Sequence, residues 1–176
     1  MIFTQTKLPG AFVIEPERFV DVRGFFARLW SEEDFADHGL VPRFIESNTS
    51  FSVKRGTLRG MHFQAAPHGQ VKLVRCTAGA VYDVIIDLRP ESPTFKKWES
   101  FELSAENRRM LYVPIDFAHG FQTLIDGSEV TYQMSSPYMP ASSKGVRWND
   151  PAFGITWPEA ERVIIPRDQE YPDFTG

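Results

Sequence analysis

The sequence is poor in cysteine, in net charge and in long apolar runs. Its single cysteine, Cys76, excludes a disulfide within the chain and is typical of a reducing compartment, so we expect a cytoplasmic protein. A formal net charge of −4 over 176 residues gives no electrostatic reason to expect nucleic acid or a membrane surface as a partner. The N-terminal segment MIFTQTKLPGAF has no apolar stretch long enough for a signal peptide or a membrane span.

Helical patterns are also scarce. One short helix is predicted over residues 32–38, with Ser31 as its N-cap and Gly39 as its C-cap. Elsewhere short β-rich runs are separated by turn residues, which is typical of antiparallel strands in a sandwich or a barrel. The absence of linkers and repeats favours one domain over residues 1–176. Strands are predicted at 11–15, 44–51, 57–64, 71–77, 80–88, 98–103, 109–113, 120–124 and 129–134.

The run at 80–88 alternates most clearly. One of its faces carries Asp83 and Asp87 among apolar residues, which predicts either the lining of a polar cavity or a surface exposed to solvent. Lys72 lies between apolar neighbours on the preceding strand and needs a partner if it is buried. Asp83 is available as that partner.

The stretch from 55 to 76 is the richest in chemically active side chains. It contains Arg55 and Arg59, then His62, then Lys72. Histidine titrates nearest to neutral pH, the arginine fork suits phosphate oxygens, and lysine can stabilise a developing oxyanion. We therefore interpret His62 as the site of proton transfer on a phosphate-bearing substrate, with a structural histidine as the alternative.

The pleat of this strand raises a geometric question. Strict alternation predicts that His62 shares a face with Leu58, Gly60 and Gln64, and that Gly60 leaves room for a ligand. Arg59 would then lie on the opposite face. Both side chains can reach one substrate only if the strand bulges or Arg59 bends over a rim.

Three other side chains have two interpretations each. His119, after a turn, contacts a ligand or caps a strand. Tyr132 is a site residue or a core tyrosine whose hydroxyl finds a partner. Asp168 is a surface aspartate unless the C-terminal segment folds back to orient His62.

A metal site is not predicted. A metal-binding barrel of this size would need an H-x-H pair, a later carboxylate and a third histidine. Here the pair reads His62-Phe63-Gln64, the carboxylate slot falls near Lys72, and only His119 remains.

Six ordered segments carry a resemblance to one family: DVRGFF at 21, RGTLRGMHFQ at 55, QVKLVRCTAGAVYDVIIDLR at 70, YVP and FAHGFQ at 112–122, EVTYQMSSPY at 129, and GVRWNDP at 145. With them the chain resembles the dTDP-4-dehydrorhamnose 3,5-epimerase family over nearly its whole length. The resemblance implies an all-β, cupin-type jelly-roll barrel with one or a few short helices.

The resemblance also implies a reaction. The family epimerises a nucleotide-linked 4-keto-6-deoxy sugar at C3 and C5, where loss of either proton leaves an enolate. By the resemblance, His62 is the base and is oriented by Asp168. Tyr132 returns a proton from the other side of the sugar, and Lys72 stabilises the C4 oxyanion. The family uses neither a metal nor an organic cofactor.

Binding residues and assembly follow from the same resemblance. The substrate is a nucleotide-diphosphate sugar, and the family forms homodimers that exchange N-terminal strands, so part of 23–28 serves the neighbouring site. The resemblance implies contacts with the diphosphate or sugar for Arg23, Arg59, Arg167 and His119, a position near the nucleotide for Asn48, and stacking on the base for Tyr138.

Four positions depart from the family pattern. Arg28 stands where the family usually has a glutamate, and a usual glutamate near Ser143 is missing. Glu46 stands where a glutamine is common, and Asp116 changes the loop before His119. We predict that Arg28 and Glu46 pair with each other. Two alternatives stay open: an enzyme that inverts one carbon or uses another activated 4-keto sugar, and a non-catalytic sugar-nucleotide binding protein or metal-dependent cupin.

Overall fold

The computed structural model describes residues 1–176 and consists almost entirely of antiparallel strands, which confirms the all-β prediction. Neither of its two α-helices has the length and apolar character of a transmembrane helix. The elements are β1 (Ile2–Gln5), β2 (Phe12–Glu15), β3 (Arg18–Asp21), β4 (Gly24–Ala27), α1 (Glu32–Asp37), β5 (Glu46–Ser52), β6 (Leu58–Gln64), β7 (Lys72–Ala78), β8 (Ala80–Asp87), β9 (Trp98–Ser104), β10 (Met110–Val113), β11 (Phe117–Thr123), β12 (Ser128–Met134), β13 (Ser143–Gly145) and α2 (Pro166–Gln169), with a 3₁₀ turn at Pro140–Ser142.

Two sheets face each other. The six-stranded sheet has the order β1-β2-β10-β7-β12-β5, and the five-stranded sheet has the order β13-β6-β11-β8-β9. Buried side chains such as Val74, Ile85 and Leu111 fill the space between them. Two further apolar clusters cover the outer faces, one around Phe35 of α1 and one around Trp157 of the C-terminal segment. One end of the space between the sheets is left for polar side chains.

Local signals explain why α1 forms where it does. The hydroxyl of Ser31 accepts a hydrogen bond from the backbone N–H of Asp34 at 3.4 Å, as an N-cap should. The helix buries Phe35 and ends at Asp37, and Gly39 then turns the chain at a φ of +69°. The predicted helix is confirmed to within one residue.

The face of β8 that carries Asp83 and Asp87 is buried, which decides between the two interpretations of its alternation. Asp83 and Asp87 are both fully buried, so this face is not exposed to solvent. Asp83 faces the polar end of the cavity, whereas Asp87 accepts hydrogen bonds from Arg89, Ser92 and Thr94. Burial would raise the pKa of Asp87, but these donors outweigh it and lower the pKa to about 2.

β3 and β4 form a separate hairpin that sequence patterns did not predict. Its apolar side chains are exposed in the single chain: Phe19, Val20, Val22, Phe25 and Phe26. An isolated two-stranded sheet is at best marginally stable in water, so this hairpin lacks the packing that such a sheet needs.

Candidate active site

The polar end between the sheets contains two adjoining cavities of about 300 and 200 Å³. His62, Lys72 and Tyr132 line both of them, so the two cavities form one cleft around these three side chains. The larger cavity also contains Arg59, His119, Phe121 and Asp168, and the smaller one contains Asn48, Tyr138, Ser143 and Arg167.

His62 is held by a carboxylate from the far end of the chain. Its Nε2 lies 2.8 Å from Oδ1 of Asp168, and the second oxygen of Asp168 accepts from the N–H of Gly60 at 3.2 Å. Burial would raise the pKa of Asp168, but the hydrogen bonds from His62 and Gly60 outweigh it and lower that pKa. The carboxylate is therefore ionised and fixes the ring through Nε2, which leaves Nδ1 to exchange a proton with a ligand.

The folding back of the C-terminal segment explains this contact. Val163 forms a parallel bridge with Thr57, and its carbonyl accepts from the N–H of Leu58 at the start of β6. α2 then begins at Pro166, a favoured first residue of a helix, and places Asp168 in its first turn with its side chain 2% exposed. The imidazole of His62 is 36% exposed, so it faces the cleft while the carboxylate that holds it is hidden.

A β-bulge places Arg59 on the same face of the sheet as His62. His62 pairs with His119 on β11, and Arg59 pairs with Phe121. Two residues separate Arg59 from His62 on β6, whereas Gly120 alone separates their partners on β11. The alternation is therefore reset, and both side chains point into the cleft.

Close packing of two glycines produces this bulge. Gly60 has a φ of +140°, which favours glycine, and a Cβ there would lie 2.6 Å from Cα of Gly120. The space beside Gly60 is thus filled by the facing strand and not by a ligand. The predicted common face of His62 and Leu58 is wrong, because the bulge leaves Leu58 in the outer apolar cluster.

Lys72 reaches the cleft from the opposite sheet. Its Nζ donates to the backbone carbonyl of His62 at 3.1 Å, so the ammonium lies beside the strand that carries His62. Burial lowers the pKa of Lys72 to about 8, although the nearby charge of Asp83 partly opposes this shift. Lys72 therefore places an ammonium in the cleft, where a developing oxyanion can reach it.

Asp83 makes its direct contacts with His119 and not with Lys72. Both of its oxygens lie within 3.0 Å of Nε2 of His119. Burial raises the pKa of Asp83 in spite of the nearby His119 and Lys72. The expected pairing of Lys72 with Asp83 is therefore replaced by a longer-range electrostatic interaction. His119 lies inside β11, nearly buried, with its ring fixed against the cleft wall.

Tyr132 lies on the wall that faces His62. β12 belongs to the six-stranded sheet, and Tyr132 pairs there with Asn48 on the edge strand β5. Paired residues share a face, so Asn48 also lines the cleft. A ligand between the sheets would thus meet an imidazole on one side and a phenol on the other.

The smaller cavity contains Asn48 and Tyr138, which are predicted near the nucleotide, and Arg167, which is predicted to contact the diphosphate or sugar. Arg167 donates to the hydroxyl of Ser143 at 3.0 Å and to that of Tyr171 at 3.2 Å. Tyr138 is half exposed at the mouth of the cavity, and its backbone N–H donates to a carboxylate oxygen of Glu46 at 3.3 Å.

Three charged residues singled out in the sequence lie away from the cleft or from their expected partner within this chain. Arg55 pairs with Glu159 on the surface and does not line the cleft. Arg28 lies 3.8 Å from Asp34 on α1, so its predicted pairing with Glu46 is wrong. Arg23 is 85% exposed on the β3–β4 hairpin, away from both cavities.

Sequence reasoning missed some lining residues. Phe121 alternates with His119 on β11, so that parity alone could have found it. Ile165 lines the cleft only because the C-terminal segment folds back, and no local signal predicts this. No group of three or more histidine, cysteine, aspartate or glutamate side chains is arranged as a set of metal ligands.

The alkaline pH dependence of activity follows from Lys72. We expect kcat/KM to fall as the pH rises through about 8, because the ammonium loses its proton and its charge there. A Lys72→Arg variant keeps its charge to much higher pH, so its alkaline limb should move upward by more than one pH unit. Initial rates between pH 6 and 10 provide the measurement, and identical alkaline limbs in the two proteins would contradict the role of this charge.

Comparisons with known proteins agree with this arrangement. The model of the dTDP-4-dehydrorhamnose 3,5-epimerase family matches residues 5–176. The dTDP-4-dehydrorhamnose 3,5-epimerase of Sinorhizobium fredii is 42% identical over 99% of this chain and 90% of its own length. The crystal structure of the enzyme of that name from Elizabethkingia anophelis superposes with a TM-score of 0.96 at 41% identity, covering 99% of this chain and 96% of that one. The crystal structure of the enzyme of that name from Bacillus anthracis, with TDP and PPi bound, superposes with a TM-score of 0.95 at 40% identity, covering 98% of this chain and 99% of that one. The cupin-type jelly roll is thereby confirmed.

Proposed function

The chain belongs to the dTDP-4-dehydrorhamnose 3,5-epimerase family, a family of isomerases, and we propose that it converts dTDP-4-dehydro-6-deoxy-D-glucose to dTDP-4-dehydro-L-rhamnose by inverting C3 and C5. One observation carries the proposal. A carboxylate-held imidazole, His62, faces a phenol, Tyr132, across a cleft in which the ammonium of Lys72 lies between the two sheets. Binding alone would not need such an acid–base set.

The proposed chemistry is proton transfer next to a ketone. His62 takes the hydrogen from C3 or C5, and the electron pair of the broken C–H bond moves onto the C4 oxygen as an enolate forms. The ammonium of Lys72 stabilises that oxyanion, a charge that exists only after the proton has left. Tyr132 then donates a proton to the same carbon from the opposite face, and solvent restores both groups.

The reaction needs no metal or organic cofactor in this proposal. The C4 carbonyl itself acidifies the neighbouring C–H bonds, and Lys72 supplies the positive charge that a metal would otherwise provide. Asp168 stabilises the imidazolium formed on His62, as an ionised carboxylate partner should.

The substrate is a nucleotide-diphosphate sugar in this proposal. Arg59 has its guanidinium held by the hydroxyl of Ser52 at 3.2 Å and the carbonyl of Phe51 at 3.0 Å, beside the cleft, where it can bind the diphosphate. His119 would lie beside the sugar. Arg167, Asn48 and Tyr138 surround the smaller cavity, which suits the nucleotide, with Tyr138 stacking on the base. The related Bacillus anthracis structure contains TDP and PPi, which supports a nucleotide-diphosphate ligand.

We also propose that residues 1–176 act as one domain in the cytoplasm. Both sheets and the C-terminal segment contribute side chains to one cleft, so no part of the site stands apart from the rest. Cys76 is buried in the core, and burial raises the pKa of its thiol to about 11, which suits a core residue in a reducing compartment.

The assembly in this proposal is a homodimer with exchanged N-terminal strands. The β3–β4 hairpin has exposed apolar side chains on a two-stranded sheet that needs packing, and a partner subunit would provide it. Exchange would also explain why Arg23, on the turn of the hairpin, lies away from its own cleft. It would serve the site of the partner.

Weakening the hairpin should disrupt both assembly and binding. We expect a Phe19→Ser/Phe26→Ser variant to be monomeric, because it loses two large exposed rings of the hairpin. The variant should also bind dTDP more weakly, because Arg23 no longer reaches the cleft of a partner subunit. Light scattering after size exclusion and calorimetry provide the measurements. Ile125→Ser removes an exposed apolar side chain elsewhere and should stay dimeric. A wild-type monomer would contradict the assembly.

Deuterium incorporation tests the proposed reaction. The protein is incubated with dTDP-4-keto-6-deoxyglucose in deuterated water and followed by NMR. We expect deuterium at both C3 and C5 and the appearance of dTDP-4-dehydro-L-rhamnose. Deuterium at one carbon only would identify an enzyme that inverts a single centre. Deuterium at neither carbon would overturn the proposal.

Tyr132 separates inversion from exchange. We expect Tyr132→Phe to suppress inversion more strongly than deuterium exchange, because His62 can still remove a proton and return a deuteron on its own face, while the opposite face has lost its donor. The ratio of product formed to deuterium incorporated, measured in the same NMR samples, provides the test. Equal loss of the two signals would contradict the proposed role of Tyr132.

A further inference from the structure

His62 has a cross-strand neighbour on each side, His119 on β11 and Gly145 on β13, and the neighbour on β13 has no side chain. β13 pairs with β6 so that Gly145 faces His62 directly. Cross-strand partners normally place their side chains in contact, so a side chain at this position would lie against the imidazole. A Cβ on Gly145 would overlap the ring of Tyr171. The ring of Tyr171, from the C-terminal segment, therefore occupies the space of the missing cross-strand neighbour.

Tyr171 touches two residues of the site without lining either cavity. Its ring lies edge-on to the imidazole of His62, with centroids 6.2 Å apart and planes inclined by 68°, a favourable aromatic arrangement. Its hydroxyl accepts a hydrogen bond from Nε of Arg167 at 3.2 Å. That hydrogen bond is the main cause of the raised pKa of Arg167. One side chain thus contacts both the base and a cation at the nucleotide end.

The backbone of Tyr171 is itself anchored. Its carbonyl accepts from Arg147 at 3.5 Å, and Arg147 forms an ion pair with Asp173. Asp168 lies three residues before Tyr171 on the same segment. The carboxylate that contacts Nε2 of His62 and the ring that lies edge-on to its imidazole therefore belong to one short segment.

We propose that Tyr171 is a positioning residue for the epimerisation, its ring keeping the imidazole of His62 aligned on the cleft and its hydroxyl keeping Arg167 extended towards the nucleotide. The inference rests on the proposed function for its kinetic consequences. The two contacts use different parts of the side chain, so substitutions can separate them. A catalytic role is not implied, because Tyr171 does not reach the space where the sugar would lie.

Two substitutions and one control separate the contacts. Tyr171→Phe keeps the ring and loses the hydroxyl, so we expect KM to rise roughly three- to tenfold with kcat within twofold of the wild type. Tyr171→Leu loses both contacts, so kcat should also fall, by about tenfold, because a base held less firmly reaches the C–H bond less often. The neighbouring exposed Glu170→Gln should change neither constant.

A second measurement does not depend on activity. Diethyl pyrocarbonate acylates accessible imidazoles and phenylglyoxal modifies accessible guanidiniums, and peptide mass mapping follows each residue in the free protein. We expect His62 to be labelled faster in Tyr171→Leu but not in Tyr171→Phe. Arg167 should be labelled faster in both variants, and Glu170→Gln should match the wild type.

The outcomes distinguish the inference from the proposed function. A wild type that fails to exchange deuterium rejects the proposed function, while the labelling rates still decide whether Tyr171 restrains His62 and Arg167. Unchanged labelling of both residues, or equal kcat in the phenylalanine and leucine variants, would overturn the positioning role. If the leucine variant does not fold, the phenylalanine variant alone decides whether the hydroxyl holds Arg167.

Discussion

Replacing His62 by alanine is expected to abolish deuterium incorporation at both C3 and C5, with a loss of turnover of roughly 10²- to 10⁴-fold. Both carbons flank the same carbonyl, and of the two carboxylate-held imidazoles in the cleft His62 is 36% exposed whereas His119 is nearly buried, so we expect His62 to remove either proton. NMR of the substrate in deuterated water measures the two positions separately. A variant that lost exchange at one carbon only would require a second base for the other.

A matched control separates loss of the base from general damage. His38 lies outside the cleft, where it follows α1 and stacks on Phe3. His38→Ala should therefore retain exchange at both carbons close to the wild-type rate. Exchange by His62→Ala equal to that of His38→Ala would contradict the assignment of the base.

Replacing Lys72 by methionine is expected to lower kcat by about 10²- to 10³-fold while changing the affinity for dTDP little. Methionine has a similar unbranched shape, so the variant removes the charge that stabilises the C4 oxyanion and keeps most of the packing. Because burial already disfavours the ammonium, the variant should be at least as stable as the wild type to heat.

Steady-state kinetics, calorimetry with dTDP and thermal melting provide the measurements for this variant. Lys97→Met, on an exposed lysine, provides the control and should leave kcat unchanged. A kcat for Lys72→Met within threefold of the wild type would show that the oxyanion does not depend on this charge. A large loss of dTDP affinity with normal kcat would instead make Lys72 a binding residue.

Local patterns predicted most strands of the two main sheets, although they missed the edge strand β1 (Ile2–Gln5), and the reason is physical. Between 44 and 134 most strands alternate or run apolar because at least one face is buried, and turn residues mark their ends, whereas the edge strand β5 is largely exposed. The short edge strand β13 and the β3–β4 hairpin carry no such alternation. The apolar side chains of the hairpin are exposed in the single chain, so a signal based on burial cannot detect it.

The arrangement of the site could be predicted only in part. His62 and Lys72 stand out by residue type within a β-rich stretch. The common face of Arg59 and His62 depends on the packing of Gly60 against Gly120, which lie on strands far apart in sequence. Pleat parity within one strand cannot foresee it.

Contacts between residues far apart in the sequence limited the other predictions of the site in the same way. Asp168 reaches His62 across 106 residues, and only the folded C-terminal segment shows which aspartate contacts this imidazole. The predicted pairing of Arg28 with Glu46 is wrong because α1 places Asp34 nearer to Arg28. Charge complementarity in a sequence names possible partners, and the fold decides among them.

A crystal structure of the Tyr132→Phe variant with dTDP-4-keto-6-deoxyglucose tests most directly whether His62 is the base. We predict that C3 or C5 lies within about 3.5 Å of Nδ1 of His62, with the C4 oxygen within hydrogen-bonding distance of Nζ of Lys72. A sugar whose C4 oxygen points away from Lys72, or an imidazole turned out of the cleft, would contradict the mechanism.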